Sequence, residues 1–274
     1  MSQLVTDIIT TDRPVANSEK RLSICLWSNG FSFSVTTVDD LLLTVGDCPL
    51  SGGMSAMEVA RQVAKTIGED EVALGFKQMN LILPTMQSVC VPAHLYDPSA
   101  DRQYLATAAR VGEGSGIYHS YLSSLNAYLV FAAPADMATA FKVTLPGIDI
   151  LCQHAVLIEA AHRSASSSHP YILLHVREGA ADIEAFFNGN LLLTNSYPAG
   201  DSEEVLYHAL SVMKHLHLET PDMELAICGL VDRTFFSRMQ HFFPNVTLYT
   251  GKPYTFLNPD FQTLHTYRHT LILS

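Results

Sequence analysis

Twelve histidines, five cysteines and two glycine clusters are the residues of this 274-residue chain that could carry chemistry. His215-x-His217 with Glu219 is the tightest histidine group, and His265 and His269 lie four apart. Neither forms an HExxH pair and no cysteine completes a ligand set. His215 and His217 fall at the end of a predicted helix, where a cation is favoured by the backbone dipole without any metal. Gly112-Glu113-Gly114-Ser115-Gly116 has the look of a dinucleotide loop. Such a loop must follow a strand and open a helix. Here Arg102–Val111 precedes it with alanines at helical spacing, so the glycines read as a flexible loop. Ser51-Gly52-Gly53 reads as a connection before a helix cap rather than a phosphate cradle. There is no G-x-S-x-G elbow for a serine nucleophile.

What must position any site is an architecture that the chain writes twice. Leu22–Gly46 reads LSICLWSNGFSFSVTTVDDLLLTVG, and Tyr171–Ser196 reads YILLHVREGAADIEAFFNGNLLLTNS. Each gives an apolar run, a Gly turn, a second run, a second turn and the tetrapeptide Leu-Leu-Leu-Thr. The offset is 149 at the turn glycines Gly30 and Gly179 and 150 at the tetrapeptides. Asn29-Gly30 between strand-like runs is a hairpin signal. Ser55 with Glu58, and Asp201 with Glu204, have the spacing of helix caps. The apolar faces Met57/Ala60/Val63/Ala64/Ile67 and Val205/Ala209/Val212/Met213/Leu216 follow them. Asn80–Leu83 and Glu224–Cys228 are the strands after these helices. Each half then continues through helix, strand and helix: Ala135–Val143, Ile148–Leu151 and His154–Ser164 in the first, after a strand at Ala127–Ala132, and Asp232–Phe243, Val246–Tyr249 and Asp260–His269 in the second. The first half adds a segment near 84–126, in which Gln87–Val91 is a further strand. The predicted division is a tail or added edge segment over 1–19, a first domain over 20–165, a linker at Ser164–Ser168, and a second domain over 166–274.

Hydrophobic residues make up 48% and charged residues 16% of the chain, and the formal charge is −11. That balance suits a buried globular core and opposes nucleic acid or an anionic membrane as the main partner. Ala127–Phe141, the most apolar stretch, is broken by Pro134 and Asp136 and is too short to span a bilayer. Five scattered cysteines without a C-x-x-C pair, and no signal-like leader, are expected of reduced thiols in a cytoplasm.

Three antiparallel strands followed by alternating helix and strand, written twice, predict a mixed α/β protein of two ribonuclease-H-like domains. The order resembles the actin-like ATPase superfamily over residues 20 to 270. It is similar above all to the pilus-assembly branch and to an uncharacterised bacterial family related to it. The resemblance implies a nucleotide cleft between the halves. There, an Asp with glycines at the first turn of each half would hold phosphate and a metal-bound water, and a glycine group after the post-helix strand would pack on adenosine. This chain has Ser28-Asn29-Gly30 and Arg177-Glu178-Gly179 at the turns, then Gly229-Leu230-Val231-Asp232 after the strand. Both turn glycines are kept and neither turn has an Asp. The remnant cleft would therefore consist of Asn29, Gly30, Glu178, Gly179, Gly229 and Asp232, with no catalytic residue and no metal ligand assigned. The expectation is a non-catalytic scaffold for another protein or peptide, without a cofactor. The alternative is an ATPase or small-molecule kinase that binds ATP and Mg²⁺ through Asn29, Glu178 and Asp232.

Overall fold

The computed structural model describes residues 7–11, 19–68, 75–166 and 168–274. Residues 69–74, most of the expected tail and Ser167 of the expected linker lie outside them. The first sheet is built from β1 (Asp7–Thr10), β2 (Lys20–Trp27), β3 (Gly30–Thr37), β4 (Leu41–Pro49), β5 (Gln78–Ile82) and β9 (Asp149–Leu151), in the order β1-β4-β3-β2-β5-β9. β2, β3 and β4 form the expected antiparallel meander, and β5 and β9 add in parallel. The parallel step from β4 to β5 needs a crossover, which α1 (Ala56–Ile67) provides. Its start is a reciprocal cap: the Ser55 backbone donates to Glu58 at 2.7 Å, and the Glu58 backbone donates to Ser55 Oγ at 3.4 Å.

An inserted three-stranded sheet follows, ordered β6-β8-β7: β6 (Ser88–Pro92), β7 (Ser115–Leu122) and β8 (Ala127–Pro134). One of its faces joins the main core through Leu129 and Phe131, and the other is covered by α2 (Asp101–Ala108) around Leu105 and Val130. The insertion thus runs to Pro134 and not to 126. Ala127–Ala132 pairs with its own neighbours in the insertion, so it is no strand of the first sheet. The main thread resumes with α3 (Ala135–Thr144), β9 and α4 (Gln153–Ser164).

The second sheet has the corresponding order: β12 (Asn190–Pro198), β11 (Ala180–Phe187), β10 (Tyr171–Arg177), β13 (Glu224–Gly229) and β14 (Val246–Leu248). α5 (Ser202–His215) is capped by Asp201, whose carboxylate accepts from the Glu203 and Glu204 backbones at 2.9 and 3.0 Å. α6 (Arg233–Phe242) follows β13. The predicted last helix over 260–269 is instead two 3-10 turns, Pro259–Thr263 and Thr266–His269, leading into the short α7 (Thr270–Leu273). Nor does the C-terminal segment stay with the second sheet. β15 (Thr255–Phe256) pairs with β4, and Ser34 Oγ donates to the Ile272 carbonyl at 2.6 Å.

The two halves therefore exchange their last helices. α7 lies on the first sheet over Cys25, Leu42, Val45 and Ile82, and α4 lies on the second sheet. A single apolar core runs from Leu22, Ile24 and Phe33 through Leu157 and Ile158 of α4 to Leu173 and Phe186. Each fully buried Leu, Ile or Phe in it contributes about 1.5–3 kcal/mol. Among the described residues no helix is long and apolar enough to cross a membrane.

Strand registers refine the alignment of the two halves. Trp27 pairs with Gly30 and Arg177 with Ala180, so Gly30 corresponds to Ala180 and not to Gly179. The next turn has three residues in the first half, ending at Asp40 (φ 60), but only Asn188-Gly189 (φ 51 and 73) in the second. Two positive-φ residues make the tight primed turn that a two-residue hairpin needs. That one-residue difference sets Leu42 opposite Thr36 and Leu191 opposite Phe186. The repeated tetrapeptides are thus one position out of structural register.

Candidate functional site

The residues expected at the cleft take up distinct local roles. Gly30 is buried and lacks a positive φ; a Cβ there would meet the Cys48 carbonyl at 2.5 Å and the Trp27 ring at 2.6 Å. It is required by close approach. Gly179 has φ +72 with open space around it, so it is required by backbone conformation. Asn29 and Glu178 are exposed at the two turn tips, and the Asn29 carbonyl accepts from the Leu50 backbone at 2.8 Å. Gly229 is brought beside the second turn by the β10–β13 pairing; it has φ +86, and a Cβ would lie 2.1 Å from the Val176 carbonyl. Asp232 faces away into helix capping, accepting from the Phe235 backbone at 2.7 Å. Leu230 is 63% exposed, whereas Trp27 packs over Gly30 with its indole N–H buried and unpartnered.

Between the halves lies a polar cluster that the motif search did not single out. Asp182 and Glu184 stand two apart on β11 and so share a face. Ser196 and Thr194 of β12 lie directly opposite them, and His175 of β10 lies opposite Asp182. α4 lays Gln153 and His154, from its first turn, onto this face. Asp182 accepts from five donors: His175 Nδ1 at 2.9 Å, Arg177 Nε at 2.9 Å and Nη2 at 3.2 Å, Gln153 Nε2 at 3.1 Å, and Ser196 Oγ at 2.5 Å. The Gln153 side chain also pairs with both backbone groups of Thr85, which follows β5 in the first half, at 2.9 and 2.6 Å. Arg177 reaches the same Thr85 carbonyl at 3.4 Å. His154 bridges Glu184 Oε1 at 2.5 Å and Ser196 Oγ at 2.9 Å.

The charges in this cluster are settled by mutual compensation. Burial alone would raise Asp182, but the His175 hydrogen bond and the nearby His154, His175 and Arg177 outweigh it and hold the carboxyl well below the usual range. Burial works against a charged His154, yet the adjoining Glu184 raises it above its ordinary value. Burial pushes Glu184 up, so this pair holds a shared proton more tightly than either group would in water. Ser196, His154 and Glu184 have the connectivity of nucleophile, base and orienting acid. The Ser196 proton, however, is committed to Asp182, and all four residues are buried. The cluster joins α4, Thr85 and three strands of the second sheet as an interlock.

An open concavity lies elsewhere. A groove of about 540 Å³ separates the inserted sheet from the first sheet, lined by consecutive residues Ile117–Tyr121 of β7 and Ile148–Leu151 around β9, with Asp101 and Lys142 beside them. β7 and β9 are the terminal strands of their sheets, so both present edges that no described strand pairs. An extended chain laid along either edge would satisfy that edge's backbone groups. His119 Nδ1 pairs with Asp101 at 2.8 Å on the groove wall, and the Lys142 ammonium lies 5.6 Å from the Tyr118 ring centre. Among the described residues no group of three or more His, Cys, Asp or Glu is placed to hold a metal.

A solved structure from Bacteroides thetaiotaomicron, described as a protein with actin-like ATPase fold and unknown function, is similar with TM-score 0.75 and 21% identity over 94% of this chain and 96% of that one. The PilM-PilN type IV pilus biogenesis complex is similar with TM-score 0.56 and 11% identity over 92% and 96%. The ethanolamine utilization protein EutJ from Carboxydothermus hydrogenoformans gives 0.52 and 12% over 97% and 93%. The fold is thus the actin-like ATPase fold. No curated protein matches the chain in sequence. A family model described as "Protein of unknown function (DUF3822)" matches residues 11–246.

Proposed function

The chain belongs to the DUF3822 family, and from that premise we propose that it is a non-catalytic protein-interaction scaffold, an internally duplicated actin-like protein that has given up nucleotide. The observation that carries this reading is the buried interlock around Asp182, which ties α4 and Thr85 of the first half to the second sheet. The donor set does not fit a magnesium nucleotide: the turns offer a single exposed carboxylate, Glu178, while Asp232 is spent on a helix cap. Gly229 packs closely against Val176, and it is the one glycine where the fold would call for a group. In place of the cleft, the groove between β7 and β9 receives an extended segment of a partner polypeptide. PilM, with its partner PilN, supports a protein as the class of ligand. The setting is a bacterial cytoplasm.

The test displays a library of extended peptides to the full chain and follows amide exchange in the presence of each enriched peptide. The reading expects protection at Ile117–Tyr121 and Asp149–Leu151 together. Enrichment of no peptide, or protection confined to other segments, overturns it. The competing ATPase or kinase reading requires nucleotide to protect the two turns around Asn29 and Glu178.

A further inference from the structure

The outer strands of the two sheets correspond in position but not in covering. Pro49 lies opposite Gly30, and Pro198 opposite Ala180, so β4 and β12 match with an offset of 149. Each carries one bulged residue at the same point, Leu43 in β4 and Leu192 in β12. In the first sheet that edge is covered. β1 pairs with Thr44–Asp47, Thr11 donates to the Leu43 carbonyl at 2.8 Å, and β15 adds at Leu41 and Leu42. Leu43 packs into the main core and is 6% exposed, whereas Leu192 is 41% exposed. Among the described residues no strand pairs with the outer side of β12. At its last residue, His208 Nε2 meets the Pro198 carbonyl at 3.0 Å.

An open edge is ordinarily guarded by charge, by proline within the strand or by a twist. β12 reads Asn-Leu-Leu-Leu-Thr-Asn-Ser-Tyr-Pro, nine residues without a charge, in a chain of formal charge −11. Its proline stands at the very end. The bulge is no obstacle to pairing, since β1 and β15 pair on either side of the same bulge at Leu43. Two copies of so acidic a chain repel almost everywhere. A neutral strand is where they can meet, and a strand that meets itself antiparallel forms a closed two-fold contact.

We propose that β12 is a homodimerisation edge, on which a second copy of this chain lays its own β12 antiparallel and covers Leu193–Ser196 as β1 covers Thr44–Asp47. The two second sheets then join into one continuous sheet, and Leu192 is buried at the seam. The groove between β7 and β9 is on the other half of the molecule and takes no part.

The experiment is sedimentation equilibrium of the full chain, with amide exchange at high and low protein concentration. Expected is a species of twice the 30.1 kDa chain mass, with protection of the 190–197 amides that grows with concentration. Leu192→Lys/Asn195→Lys alters two exposed positions and should weaken association by at least about a hundredfold while circular dichroism and unfolding midpoint stay as in the parent. A parent chain that remains monomeric at about 100 μM, a concentration typical of weak but specific pairs, overturns the proposal. So does a dimer that survives both lysines, or one whose protection maps to β7 and β9.

Discussion

Replacing Asp182 by Asn tests whether the interlock holds the two halves together. The substitution keeps the volume but removes the charge from a fully buried carboxylate that receives five donors. An amide oxygen can satisfy two or three of them. Its NH₂ would then face Arg177, Gln153 or Ser196, all of which are donors to Asp182. Breaking a buried pair by removing one partner costs about 3–5 kcal/mol. In a chain of this size that corresponds to a fall in melting temperature of roughly 6–20 °C. Urea unfolding at pH 7 measures the loss. The pH dependence gives an independent check. Asp182 is held below its ordinary 3.8 by His175, His154 and Arg177 acting against burial. A depressed carboxyl contributes stability above its unfolded pKa and loses it as pH falls through the folded value. The gap between parent and Asp182→Asn should therefore be full at neutral pH and narrow as pH falls below 3.8. Loss of less than about 1 kcal/mol at pH 7, the scale of an ordinary surface change, refutes the interlock, as does a gap that is constant from pH 7 to the acid limb.

Gly229→Ala should destabilise by more than about 2 kcal/mol, since it combines a positive φ with a collision at 2.1 Å; Gly179→Ala, with φ +72 and open surroundings, should cost only about 1 kcal/mol, as compared by denaturant midpoints. Thiol titration of the native chain should show Cys90 reacting first, because burial pushes Cys25 and Cys152 up to about 12 and Cys48 up to about 11, and only the thiolate reacts; all five should react at once after denaturation. Ser55→Ala should cost about 1 kcal/mol through the lost cap, read as faster amide exchange in the first turn of α1 and little change in α5.

The two meanders, their turns and both helix caps were legible because each rests on local chemistry: alternation, Asn-Gly, and the Ser55/Glu58 and Asp201/Glu204 spacings, whereas β7, in a stretch read as loop, and β15 were not. The exchange of α4 and α7 was not, because no local pattern tells a helix which sheet it will cover. The extent of the insertion was missed for the same reason, since Ala127–Ala132 reads as a strand in either sheet. The repeated tetrapeptide pointed to two related meanders, but a one-residue difference between the turns at Asp40 and Asn188-Gly189 moved it out of register. The site itself left one overlooked trace. Asp182 and Glu184 alternate with Ala181, Ile183 and Ala185 inside an otherwise apolar strand, a pattern that calls for buried partners. Naming those partners required the fold, because His154 and Gln153 come from a helix some thirty residues earlier.

The account turns on whether the space between the halves still takes nucleotide. Thermal unfolding of the full chain with and without millimolar Mg²⁺–ATP decides it most directly, because a ligand at about 100 times its Kd adds about 2.7 kcal/mol of stability. No change in melting temperature is predicted, for the parent and for Asn29→Ala and Glu178→Ala alike, which alter only exposed turn tips. A rise of several degrees in the parent that Asn29→Ala or Glu178→Ala removes would contradict the account and restore an active cleft.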